Sequence, residues 1–104
     1  QVRKSEFYGV VASLAPQDQA ERIAEGIWRR HGEVGFDFLS DDLEEIIPGL
    51  GITANEIRHI VRHELVTSRD DLLRRRLPVK MSRSDKELAE NKKLEALLVE
   101  LGLN

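Results

Sequence analysis

Residues 56–84, EIRHIVRHELVTSRDDLLRRRLPVKMSRS, hold two of the three histidines and eight of the 16 Lys/Arg residues, so metal and anion chemistry must be looked for here first. Glu56, His59 and His63 are spaced i, i+3, i+7, which puts a carboxylate and two imidazoles on one helix face in a pattern that could ligate a metal ion. A zinc-protease helix needs His-Glu-x-x-His, with the Glu as base between two ligands. Here His63-Glu64 is followed by Leu-Val-Thr, so that motif is absent. His31 is the remaining histidine and lies on a different segment. The pair beside Arg58 and Arg62 reads most simply as surface or interdomain residues, and no metal ligand is assigned. No Ser-His-Asp order, phosphate-cradling glycine loop or isolated carboxylate pair stands out. The acidic run Asp41, Asp42, Glu44, Glu45 fits helix-start charge that complements the N-terminal dipole.

Lys80-Met81-Ser82-Arg83-Ser84 is one letter from the mobile catalytic loop of class I aminoacyl-tRNA synthetases. That loop follows a nucleotide-binding α/β domain, for which 104 residues leave no room. Met81 and its neighbours read instead as a linker between helices, with Ser84 as a cap. The net charge of −3 conceals an uneven distribution. Residues 1–57 carry 5 Lys/Arg against 11 Asp/Glu, residues 58–83 carry 8 against 3, and residues 84–104 carry 3 against 5. A basic strip between acidic flanks can meet phosphate, an acidic lipid surface or another domain, or it can pair with its own flanks; the internal or interdomain use is expected. No apolar run approaches the roughly 18 residues of a membrane span. The first residues lack a signal peptide's apolar stretch. Together with the absence of Cys, these features lead to the expectation of a soluble protein of a reducing, cytoplasmic compartment. The start at Gln rather than Met suggests a piece of a longer polypeptide.

The elements that must position these residues are helical. After Pro16, the stripe Ala20, Ile23, Ala24, Ile27, Trp28, His31 runs at helix spacing to Gly32. Ser40 can cap a second helix burying Leu43, Ile46 and Ile47 before Pro48-Gly49. Thr53 and Glu56 have capping-box spacing ahead of Ile57, Ile60, Val61 and Leu65. Ser68 with Asp71 repeats that spacing before Leu72 and Leu73, with Pro78 as the stop. Ser84 with Glu87 does so before Leu88, Leu94, Leu98 and Leu101, with Gly102 as the stop. Residues 1–15 and 78–84 are linker-like, although Phe7, Val10, Val11 and Leu14 also fit a helical stripe that Gly9 weakens. The expected fold is all-α, a compact bundle of about five short helices forming one domain over 1–104, with no strand pairs.

Glu56-Ile57-Arg58, Val61-Arg62-His63-Glu64-Leu65, Ser68, Asp71, Leu72-Leu73 and Arg75-Arg76, taken together, resemble the C-terminal helical domain of FAD-dependent, aerobic-type glycerol-3-phosphate dehydrogenases and the related α-glycerophosphate oxidases. The family pattern is Glu-Val-Arg-x-x-Val-x-x-Glu, a short gap, then Asp-x-Leu-x-Arg-Arg. The resemblance covers residues 53–77, is looser in the preceding helix ending WRRHG, and has no motif at either end. His59 stands where an aromatic is usual, and Leu77 where Thr is frequent. The resemblance implies an accessory domain without catalytic, cofactor-binding or metal-binding residues of its own. FAD would be held by an upstream FAD/substrate domain of the same polypeptide, and the parent could lie peripherally on the inner face of the membrane. A homodimer and a membrane surface reached through the parent stay open as partners.

Glu56, Arg58, Arg62, Glu64, Asp71, Arg75 and Arg76 are the candidate structural and interface residues. Asp71 lies four residues before Arg75, and Glu64 a short turn before Ser68, so carboxylates and guanidiniums can brace two helices at their junction. Two alternatives belong to other classes. The helix-turn-helix spacing of Thr53–Leu77 with its arginines could read DNA, but no outward set of Asn, Gln or Ser marks a recognition helix and the chain is acidic. A helical interaction module would present Leu88, Leu94, Leu98 and Leu101 to a partner, whereas the simpler use of that face is to close the chain's own core.

Overall fold

The computed structural model describes residues 2–41, 43–77, 79–80 and 82–103. Expectations that rest on Asp42, Pro78 and Met81 lie outside the described residues. The fold is predominantly helical with one small antiparallel strand pair, and the chain divides into two compact units, Gln1–Ile57 and Arg58–Asn104.

In the first unit the opening segment is not a linker but helix α1, Val2–Leu14. Phe7 and Val11, four residues apart, are both buried in a core with Ile23, Ala24, Ile27, Phe38 and Leu43. This one-sided burial outweighs the cost of Gly9 within the helix. Pro16 then accepts hydrogen bonds from the Gln19 and Ala20 amides at 2.9 Å each, a turn that leads into α2, Ala20–His31. The α2 face seen in the sequence is the face that packs, with Ile23, Ala24, Gly26 and Ile27 buried. Gly32, at φ 61°, ends the helix, and a 3-10 segment, Gly32–Phe38, carries Phe38 into the core. Within it Gly35 is fixed by space, because a Cβ there would lie 2.6 Å from Ile27 Cγ2 and 3.2 Å from the Phe7 ring.

The helix expected from Ser40 to Ile47 is replaced by strand β1, Glu45–Ile47, paired antiparallel with β2, Ile52–Thr53, and the expectation of an all-α fold is corrected to that extent. Glu45, Ile46 and Ile47 are all buried. Three consecutive buried residues cannot share one helix face, whereas an extended segment covered on both sides accommodates them. Gly49 at φ 86° and Gly51 at φ 66° allow the chain to reverse between the strands. Helix α3, Ala54–His63, follows directly. Thr53 Oγ1 accepts the Glu56 amide at 3.3 Å, which is one half of the expected capping box. The other half is missing because the Glu56 carboxylate is used elsewhere.

In the second unit α3 ends at His63, with Ile60 buried. Leu65, expected on the buried stripe, is 81% exposed because it falls beyond the helix. Ser68 Oγ accepts the Asp71 amide at 3.1 Å as its spacing implies, but the Asp71 carboxylate turns back to the Thr67 amide, at 3.2 Å. The next turn, Asp71–Arg76, is π-helical rather than α-helical. The Leu77 amide reaches the Leu72 carbonyl at 2.9 Å, and the widened turn keeps Leu72, Leu73 and Leu77 all buried. Ser84 and Glu87 form the full reciprocal cap of α4, Asp85–Ala89. The single last helix of the sequence reading is split, since Asn91 Oδ1 accepts the Leu94 amide at 3.0 Å and starts α5, Lys92–Glu100. At its end Leu103 N–H donates to Leu98 O and Gly102 N–H to Val99 O, a Schellman closure with Gly102 at φ 75°. Leu88, Leu94 and Leu98 are buried and Leu101 is half-buried, so this leucine face lies inside rather than offered to a partner.

Candidate functional site

Among the described residues of the first unit two carboxylates, Glu45 and Glu56, are removed from solvent, and α2 supplies partners of both. Glu45 accepts Arg22 Nε at 3.0 Å and Nη2 at 2.7 Å, a bidentate pair. The same carboxylate takes the Gly51 amide at 2.6 Å and the Gly49 amide at 3.3 Å, while the Glu45 amide donates to Gln19 Oε1 at 2.8 Å. Burial alone would raise the Glu45 pKa, but Arg22 and the two glycine amides outweigh it and hold the group below the usual carboxylate range.

Glu56 is completely buried. Arg30 Nε and Nη2 reach its two oxygens at 2.6 and 2.7 Å, and His31 Nε2 lies 2.8 Å from Oε2. Burial again works to raise its pKa and is overcome, here by the hydrogen bonds and charges of His31 and Arg30. The His31 ring stands edge-on to Phe38 at 4.6 Å. Gly51 links the two clusters: its amide serves Glu45, and its carbonyl accepts Arg30 Nη2 at 3.1 Å. A Cβ at Gly51 would run into the Arg22 carbonyl oxygen.

Of these residues only Glu56 is a candidate from the sequence. Glu45, grouped there with helix-start charges, is instead a buried acceptor, whereas Asp41 and Glu44 are exposed. The signal that could have found it is a Glu inside an apolar Leu-x-Glu-Ile-Ile run. Arg22 and Arg30 flank the apolar face of α2 eight residues apart, close to two turns.

In the second unit the basic strip largely turns inward on acidic neighbours. Arg58 meets Glu100 with Nε at 3.0 Å and Nη2 at 3.3 Å, and Arg69 meets Glu95 at 2.9 and 2.7 Å. Lys80 is paired with Asp70 and lies 3.4 Å from Asp85. The clamp expected between Asp71 and Arg75 is made by Arg76, whose Nη1 reaches Glu64 at 3.0 Å, whose Nη2 reaches the Leu65 carbonyl at 3.1 Å, and whose Nε lies 4.0 Å from Asp71. Arg62 and Arg75 are exposed and form no ion pair among the described residues. The π-helical turn explains the shift, because it changes which arginine faces back toward Glu64.

Chemically these are satisfied charges rather than poised ones. Every buried side-chain nitrogen or oxygen among the described residues has a hydrogen-bond partner, and a bidentate guanidinium holds a carboxylate in its ionised form. No group of three or more His, Cys, Asp or Glu among the described residues is arranged to hold a metal ion. Glu56 is committed to Arg30 and His31, while His59 and His63 lie together with ring centroids 4.3 Å apart. An open groove of about 870 Å³ between α1 and α2 is lined by the small residues Gly9, Ala12, Ala15, Ala20 and Ala24 together with Tyr8, Gln17 and Glu21. No described helix is long and apolar enough to cross a membrane. No family model matches the chain, and neither does any curated protein or solved structure.

Proposed function

We propose that this chain is a non-catalytic accessory domain, the C-terminal helical part of an FAD-dependent glycerol-3-phosphate dehydrogenase or related oxidase, which packs against an upstream FAD/substrate domain in the cytoplasm. The supporting observation is the position of Arg76, where the second half of the resembling motif meets the first. Its guanidinium gathers Glu64, the Leu65 carbonyl and Asp71, so three charged motif residues brace the α3 end against the next turn. Glu56 and Arg58, at the motif's beginning, are likewise held by Arg30 and by Glu100. Residues used in this way position helices and leave substrate chemistry to other parts of the polypeptide.

The accessory-domain reading puts no flavin on this chain. Backbone amides of a glycine-rich turn could hold a pyrophosphate, but those of Gly49 and Gly51 already donate to Glu45. On this reading FAD belongs to the upstream domain, as the resemblance implies. The DNA-reading alternative needs Arg58, Arg62, Arg74 and Arg76 on phosphates, and two of these are held by Glu100 and Glu64.

The test is to purify the 104-residue chain and, separately, the natural polypeptide that contains it. Flavin absorbance and glycerol-3-phosphate-dependent dye reduction are then measured on both. The expected result is flavin and turnover in the longer polypeptide and neither in the 104 residues. Flavin bound by the short chain, or a longer polypeptide without flavin, would overturn the proposal.

A further inference from the structure

Gly9 lies in the middle of α1, where glycine is a poor helix former, and a Cβ there would meet nothing within 4 Å. Gly35 and Gly51 differ, since Ile27 and the Arg22 carbonyl leave no room for a side chain at either. The space beside Gly9 is the groove between α1 and α2, about 870 Å³, with Ala12, Ala15, Ala20 and Ala24 along it. Gly9 and Ala12 are exposed. Apolar residues are spread around α1 rather than confined to the face that carries Phe7 and Val11, which fits a helix covered on a second side as well. With no long side chains at Gly9 and Ala12, a second helix can come to close packing distance.

Charge on either side of the groove selects the helix that fills it. Lys4 stands one turn before Tyr8, its Nζ 5.8 Å from the ring centroid, and Glu21 borders the groove on α2. Both are exposed, and neither forms an ion pair among the described residues, unlike their neighbours Arg3 and Arg22. We propose that the groove takes α1 of a second copy of this chain, in an antiparallel two-fold dimer with Gly9 of each copy facing Ala12 of the other. That register sets Lys4 of each copy level with Gln17 of its partner, at the part of the groove that Glu21 borders. One patch then serves both copies, as a two-fold interface requires, and a Lys4–Glu21 attraction lies at each end. A parallel pair would instead set Lys4 against Lys4, so charge fixes the direction. A helix of 13 residues is about 20 Å long and covers on the order of 500 Å² on each copy, the small end of specific interfaces. The dimer is therefore weak, forming in the high-micromolar range. It does not rest on the accessory-domain reading.

Sedimentation equilibrium of the 104-residue chain, from about 10 μM to about 1 mM and at about 50 mM salt where surface charge is little screened, reads the association. The mean mass should climb from one chain towards two. Gly9→Leu should weaken the dimer by about tenfold or more, because the leucine side chain holds the two helices apart. Its melting temperature at low concentration should hold or rise, since leucine is the better helix former and its Cβ meets open space. That combination separates a docking surface from a glycine that the fold itself needs. Lys4→Glu and Glu21→Lys should each weaken the dimer about threefold or more, and the double variant, with the charges exchanged, should recover most of the loss. A wild-type chain that stays monomeric at about 1 mM would overturn the proposal and leave the groove to another helix. So would a Gly9→Leu chain that dimerises as tightly as wild type, or a charge exchange that recovers nothing.

Discussion

Gly51 carries more of the fold than its size suggests. It sits at φ 66°, its amide and carbonyl serve the Glu45 and Arg30 clusters, and a side chain there would strike the Arg22 carbonyl. Gly51→Ala is expected to cost about 2 kcal/mol or more, through a strained backbone and a displaced helix contact. Chemical denaturation measures it, with Lys92→Ala, an exposed control, expected within about 0.5 kcal/mol of wild type. Glu56→Gln tests the neighbouring cluster. The amide keeps the shape but removes the charge, leaving Arg30 largely buried without its anion, and about 3 kcal/mol of destabilisation is expected. Stability equal to wild type would mean that the Arg30–Glu56 pair does not hold α2. None of this is read directly from sequence, because the partners lie 26 residues apart and spacing arguments reach only a turn or two.

Helices with a continuous apolar face and a local stop were legible, and α2 is the clearest, ending at Gly32 where its stripe ends. The reciprocal Ser84–Glu87 cap was legible too, because all of its atoms lie within four residues. Legibility failed where tertiary burial decided the local form: at β1, where three successive residues go inside, and at Asp71–Arg76, where the turn widens to bury Leu72, Leu73 and Leu77 together. That widening also moved the expected clamp from Arg75 to Arg76. Arg76→Ala should therefore lower stability by about 1 kcal/mol, the upper range for a half-exposed ion pair. Arg75→Ala should change it by less than about 0.5 kcal/mol. The two melting temperatures measured side by side decide the pairing, and a larger drop for Arg75→Ala would restore the Asp71–Arg75 clamp.

The chain as a whole draws on paired charge, and this gives its stability a particular pH dependence. Glu45 and Glu56 both have pKa values depressed on folding, each against the pull of burial. A depressed carboxylate contributes stability that is fully present above its unfolded pKa, about 4.3, and is lost as pH falls through the folded value. The melting temperature should accordingly hold steady from about pH 8 to 6 and fall below about pH 5, and Glu56→Gln should flatten that fall. The basic strip was visible as a count, but its destination was not, since Glu95 and Glu100 lie 26 and 42 residues from their arginines. If the charged motif is architecture within a flavoenzyme, its loss should reduce the amount of folded protein and leave the chemistry of each folded molecule intact. The direct measurement is turnover of glycerol-3-phosphate per bound flavin, with melting temperature, for the natural polypeptide carrying Glu56→Gln or Arg76→Ala. A lower melting temperature with unchanged turnover per flavin is expected. An unchanged melting temperature with turnover per flavin reduced tenfold or more, about 1.4 kcal/mol in the barrier, would contradict the accessory role and place these residues in the reaction itself.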